Sequence, residues 1–76
     1  MNGIEANYEK LANAIIIQAA NDYRNAAKTL KKYPHNREAK ETVEEVERFL
    51  LSDWYSTLTE VDGEFLLRKL REEASI

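Results

Sequence analysis

The chain has 76 residues, a net charge of −3, no cysteine and a single histidine. Disulfides, thiolate zinc sites and cysteine nucleophiles are thereby excluded, as is any metal site built from several histidines. A chain this short buries only about 60–65% of the surface its unfolded form exposes, so association with another chain is the support left to it.

Two glycines and one proline are too few for a strand-rich protein, in which turns rich in Gly, Pro, Asn and Asp recur about every 8–12 residues. Ala, Leu, Glu, Lys and Arg dominate instead and favour helix. The expected fold is a single all-α domain over residues 1–76. A long N-terminal helix forms an antiparallel αα-hairpin, followed by a short segment and a C-terminal helix, as a three- to four-helix bundle. Met1 to Glu5 carry neither the basic start nor the apolar run of a secretory signal. No apolar run approaches the ~20 residues of a membrane span. The expected location is the cytosol, with no membrane partner.

The first helix is expected from about Ile4 to Tyr33. Its apolar stripe is Ile4, Tyr8, Leu11, Ile15, Ala19, Tyr23, Ala26, Leu30 and Tyr33, with Ala27 beside it, at steps of three and four residues. Asn2 and Glu5 fit an N-cap with a reciprocal acid. Lys28, Lys31 and Lys32 complement the dipole of the last turns, and Pro34 disfavours helix at Tyr33. Around the middle, Ile15 lies on the main stripe, Ala12, Ile16 and Ala20 form a second one, and Ile17 points in a third direction. A helix apolar on several sides is covered on several sides, either by the other helices of the same chain or by a second chain. The small alanines allow close approach, so Ala12, Ile16 and Ala20 are a candidate self-association face.

Asn36 can cap a second helix beginning near Arg37, with Ala39, Val43, Val46 and Leu50 inward and Phe49 alongside. Glu38, Glu41, Glu44, Glu45 and Glu47 cover its wet side, and Glu44 can pair with Arg48 one turn on. The helix is expected to bend or restart at Ser52 and Asp53, leaving a short segment with Trp54, Tyr55 and Leu58. Thr59 and Asp62 resemble another capping pair. The last helix then runs from about Glu60, or from Asp62, to Ala74, burying Val61, Phe65, Leu66, Leu70 and Ala74. Gly63 sits near its start, where glycine costs little.

No catalytic constellation is present, no cofactor is implied, and the chain is read as a non-enzymatic protein. The acids of the second helix lack the Glu-x-x-His pairs of helical metal sites. Asp62, Gly63 and Glu64 lack the spaced oxygen ligands of a calcium loop. Binding is left. Trp54 and Tyr55 are candidate partner anchors, since Trp and Tyr dominate interface hot spots; core packing is the competing reading. Arg24, Lys28, Lys31, Lys32 and Arg37 form a basic cluster of charge +5 with no acid among them, leaving −8 on the rest of the chain. This cluster suits an acidic partner or, with less support, nucleic acid. The acidic face of Glu38, Glu41, Glu44 and Glu45 is the other charged surface.

The stretches from Ala14 to Pro34 and from Glu47 to Glu73 resemble short uncharacterised proteins carried by temperate phages and integrative elements of Gram-positive bacteria. The distinctive parts are Arg48 with Phe49, Ser52, Trp54, and Thr59 to Glu64 leading into Leu66, Leu67, Arg68, Lys69 and Leu70. The resemblance transfers context and no catalytic residue. It implies an accessory protein that binds and modulates or inhibits a bacterial host complex, in the manner of anti-defence or anti-CRISPR proteins. The expected partner is a host or phage protein. A structural homo-oligomer, such as a homodimer, and a nucleic-acid-associated protein using the basic cluster are the alternatives.

Overall fold

The computed structural model describes residues 3–74, with side chains from residue 8 onward. The Asn2–Glu5 cap and the place of Ile4 in the stripe lie outside the described residues and side chains. Among the described residues four helices succeed one another in chain order: α1 (Gly3–Lys32), α2 (Arg37–Leu50), α3 (Asp53–Leu58) and α4 (Gly63–Ala74). The protein is all-α, with no strand among the described residues.

At 30 residues and about 1.5 Å per residue, α1 is long enough to set the 48 Å long axis of the molecule. It ends where Pro34 requires. The Tyr33 amide still donates to the Thr29 carbonyl (2.7 Å), and the Asn36 amide donates to Tyr33 (3.0 Å), closing a tight turn. The Asn36 side chain accepts from the Ala39 amide (2.9 Å), the cap expected for α2. So short a link returns α2 antiparallel along the C-terminal half of α1. Helix α4 then runs alongside both, parallel to α1. Its start lies against Leu50, and its end reaches Arg24, where Nε donates to the Glu73 carboxylate (2.8 Å). That contact holds the Glu73 carboxyl below its ordinary range and raises Arg24.

The core comprises Ala20 and Tyr23 of α1, Val46 and Leu50 of α2, Tyr55 of α3, and Leu67 and Leu70 of α4. Small residues on α1 let the larger side chains of its neighbours close over it. Ala12 and Ala20 are buried (3% and 7% exposed) and Ile16 is half-buried against this core, all within one chain. The self-association face expected at Ala12, Ile16 and Ala20 is therefore corrected: α2, α3 and α4 pack around this part of α1 and occupy the close-approach surface.

The phase of α1 also differs from the expected stripe. Tyr23 and Ala26 of that stripe are buried as expected and Ile15, Ala19 and Leu30 are half-buried, but Tyr8, Leu11 and Tyr33 are exposed, and Ala12 and Ala20 join the inward positions. Three covering helices draw the buried arc toward the residues small enough to be straddled. In α4, Leu67 and Leu70 are buried, whereas Val61 and Phe65 are exposed (53% and 46%). Val61 precedes the helix, and the Phe65 ring lies beneath the Lys69 ammonium (5.5 Å) on the outer surface. The α2 stripe is as expected, with Ala39, Val46 and Leu50 buried and Val43 half-buried. The expected Glu44–Arg48 pair is not formed among the described residues; Glu47 instead pairs with Arg71 of α4 (3.4 Å). Glu47 also accepts from the Tyr23 hydroxyl (3.5 Å). Burial raises the Tyr23 phenol above its ordinary value, and the Glu47 charge adds to the shift.

Candidate functional site

The position of Trp54 is set by how α2 ends. The Ser52 hydroxyl donates to the Phe49 carbonyl (2.6 Å) and accepts from the Tyr55 amide (3.2 Å), so one side chain stops α2 and starts α3. Successive side chains on a helix point about 100° apart, so Trp54 and Tyr55 cannot share a surface. Tyr55 turns inward and is 2% exposed. Its candidacy as a partner anchor is corrected: its ring is part of the core, against Gly63. Trp54 turns outward and is 58% exposed. The Phe49 ring meets both edge-on, with centroids 5.2 Å from Trp54 and 5.7 Å from Tyr55. Trp54 is thus exposed yet held.

Gly63 makes this arrangement possible. A Cβ there would overlap the Leu50 carbonyl oxygen and lie 3.2 Å from the Tyr55 ring. Only a glycine lets α4 begin so close to the end of α2. Asp62 caps α4, its carboxylate accepting from the Glu64 amide (3.0 Å), while Thr59 accepts from Val61 instead of forming the box with Asp62. On the far side, the Tyr8 hydroxyl donates to the Thr57 carbonyl (3.5 Å), tying α3 to α1.

With α4 on one side of the α1–α2 hairpin, the other side stays open as a groove. At its apolar end it is lined by Ile15, Ala19, Val46, Phe49 and Trp54. Toward the Pro34 turn it continues past Asp22 and Glu45 to Thr29, Ala39 and Glu38. Leu11, 63% exposed, lies one turn before Ile15 on the same side of α1. Asp22 accepts from Gln18 (2.9 Å) on the rim. Of the acidic face expected on α2, Glu38 and Glu45 border this groove, while Glu41 and Glu44 lie away from it.

The basic cluster divides. Arg24, Lys28 and Lys31 line a separate groove of about 480 Å³ between α1 and α4, floored by Ala27, Leu70 and Ala74. Glu73 lies within it, paired to Arg24. Lys32 and Arg37 are exposed beyond this groove. Ile15 and Phe49, read in the sequence as packing residues, and Asp22, which no sequence pattern names, line the groove. The available signal is Leu11, Ile15, Gln18 and Asp22 recurring at helical spacing on one flank of α1, but the apolar stripe draws Ile15 into the expected core. Among the described residues, no three His, Cys, Asp or Glu side chains converge as metal ligands, and no helix is long and apolar enough to cross a membrane. The chain matches no protein family, and no curated protein or solved structure is significantly similar to it.

Proposed function

We propose that the protein is a non-enzymatic protein-binding module whose contact surface is the open α1–α2 groove with Trp54 at its apolar end. The observation that carries this reading is Trp54: 58% exposed, yet fixed by an edge-on contact with Phe49 and bordered by the half-buried Ile15. A rigid exposed tryptophan loses little side-chain entropy on binding and brings a large apolar area, which is why this residue type dominates hot spots. The resemblance to phage-borne accessory proteins supports a bacterial host complex as the target, and inhibition of a defence nuclease is the most specific form of the reading. The basic groove supports nucleic-acid binding less well, because Glu73 places a carboxylate among the cations and occupies Arg24.

The test is affinity capture from bacterial extract with the wild type and Trp54→Ala in parallel. Proteins retained by the wild type and lost with Trp54→Ala are expected. Identical retained sets would remove this surface from function.

A further inference from the structure

We infer that the occupant of the α1–α2 groove is a basic amphipathic helix of a partner protein, an inference that rests on reading this face as a protein-binding surface. The groove is polarised along its length. Its apolar end offers Ile15, Phe49 and Trp54, and its rim toward the Pro34 turn carries Asp22, Glu45 and Glu38. None of these three acids takes part in the ion pairs Arg24–Glu73, Arg71–Glu47 and Lys69–Glu72, which lie with α4 on the other side of the hairpin. Charges left on an apolar groove are complemented by a partner of opposite sign, which selects orientation and excludes acidic competitors.

The spacing narrows the partner further. Along α2, Phe49 to Glu45 is one helical turn, about 6 Å, and Glu45 to Glu38 is two turns, about 10 Å, at 1.5 Å per residue. A helix lying along the groove meets these points with an apolar residue at position i and cations at i+4 and i+11. All three positions fall on one helical face. The groove walls run from Ile15 to Thr29 on α1, about 21 Å, which accommodates a helix of about four turns.

Trp54 is the sole tryptophan, so its emission reports on the groove directly. The test titrates the full chain with two synthetic helical peptides that differ only in carrying lysine or glutamate at i+4 and i+11. The lysine peptide is expected to shift Trp54 emission saturably and to bind at least about tenfold more tightly than the glutamate peptide, with the preference shrinking as salt rises. The triple variant Asp22→Asn, Glu38→Gln, Glu45→Gln is expected to abolish that preference; circular dichroism verifies its fold. Equal or tighter binding of the glutamate peptide overturns the inference, and so does a preference that survives the triple variant. If neither peptide binds while the extract still yields proteins lost with Trp54→Ala, the basic-helix occupant is refuted and the protein-binding surface stands. If sedimentation without peptide finds a dimer that the triple variant dissociates, the occupant is a second copy of the chain and the inference is likewise overturned.

Discussion

Replacing Tyr55 with phenylalanine is expected to stabilise the protein, although it alters a residue at the centre of the core. The Tyr55 ring is 2% exposed, and its hydroxyl has no hydrogen-bond partner among the described residues. A hydroxyl withdrawn from water without a replacement partner costs about 1–3 kcal/mol. Tyr55→Phe removes that oxygen and keeps the ring, its edge-on contact with Phe49 and its contact with Gly63. The small void left by one atom offsets part of the gain, so the net stabilisation is about 1 kcal/mol. In a domain of this size that raises the thermal midpoint by about 4–8 °C. Alkaline pH supplies a second readout. Burial raises the Tyr55 phenol above its ordinary value of 10.0, and the Asp62 charge adds to the shift. The folded state therefore favours the neutral phenol. This contribution is intact below the ordinary value and is lost as pH rises from there through the raised folded value. Tyr55→Phe should extend the alkaline limit of stability, with Tyr23, shifted in the same direction, accounting for loss that remains. Thermal and urea unfolding followed by circular dichroism at neutral and alkaline pH measures both effects. A variant that melts below the wild type at neutral pH would refute the reasoning, because the hydroxyl would then have a partner.

Gly63→Ala should destabilise by about 1–3 kcal/mol, the range for overpacking a close contact, because its Cβ meets backbone at Leu50 rather than a movable side chain. Wild-type stability in urea would show that α4 need not begin against α2. Ser52→Ala should lose about 1 kcal/mol, since it removes both the cap on Tyr55 and the bond to Phe49. Its Trp54 emission should also change, because the same hydroxyl orients α3; unfolding free energy and fluorescence unchanged from wild type would contradict that role.

The charged surfaces are legible in the sequence only as composition. Arg24, Lys28 and Lys31 recur at helical spacing and do share a groove, but Glu73, 49 residues away along the chain, enters it because α4 runs parallel to α1. Glu38, Glu41, Glu44 and Glu45 read as one acidic face, yet only Glu38 and Glu45 reach the open groove. There they meet Asp22, which no local pattern connects to them. Ala12, Ile16 and Ala20 are legible as a packing surface. Their spacing leaves open whose helices pack there.

Local chemistry alone determined the helices and the ends that join α1, α2 and α3. Pro34 stops α1, Asn36 caps α2 and Ser52 caps α3, and the period of Ala39, Val43, Val46 and Leu50 sets the face of α2, because each of these effects acts within one or two turns. The short turn between α1 and α2 likewise sufficed for the antiparallel hairpin. Tertiary structure decided the phase of α1, the burial of Leu67 in place of Phe65, and the opposite fates of Trp54 and Tyr55. A six-residue helix is too short for its own periodicity to define an inward face. That face is set from outside, by the Ser52 cap and by α4 approaching through Gly63, and so the exposed tryptophan could be assigned only once all four helices were in place.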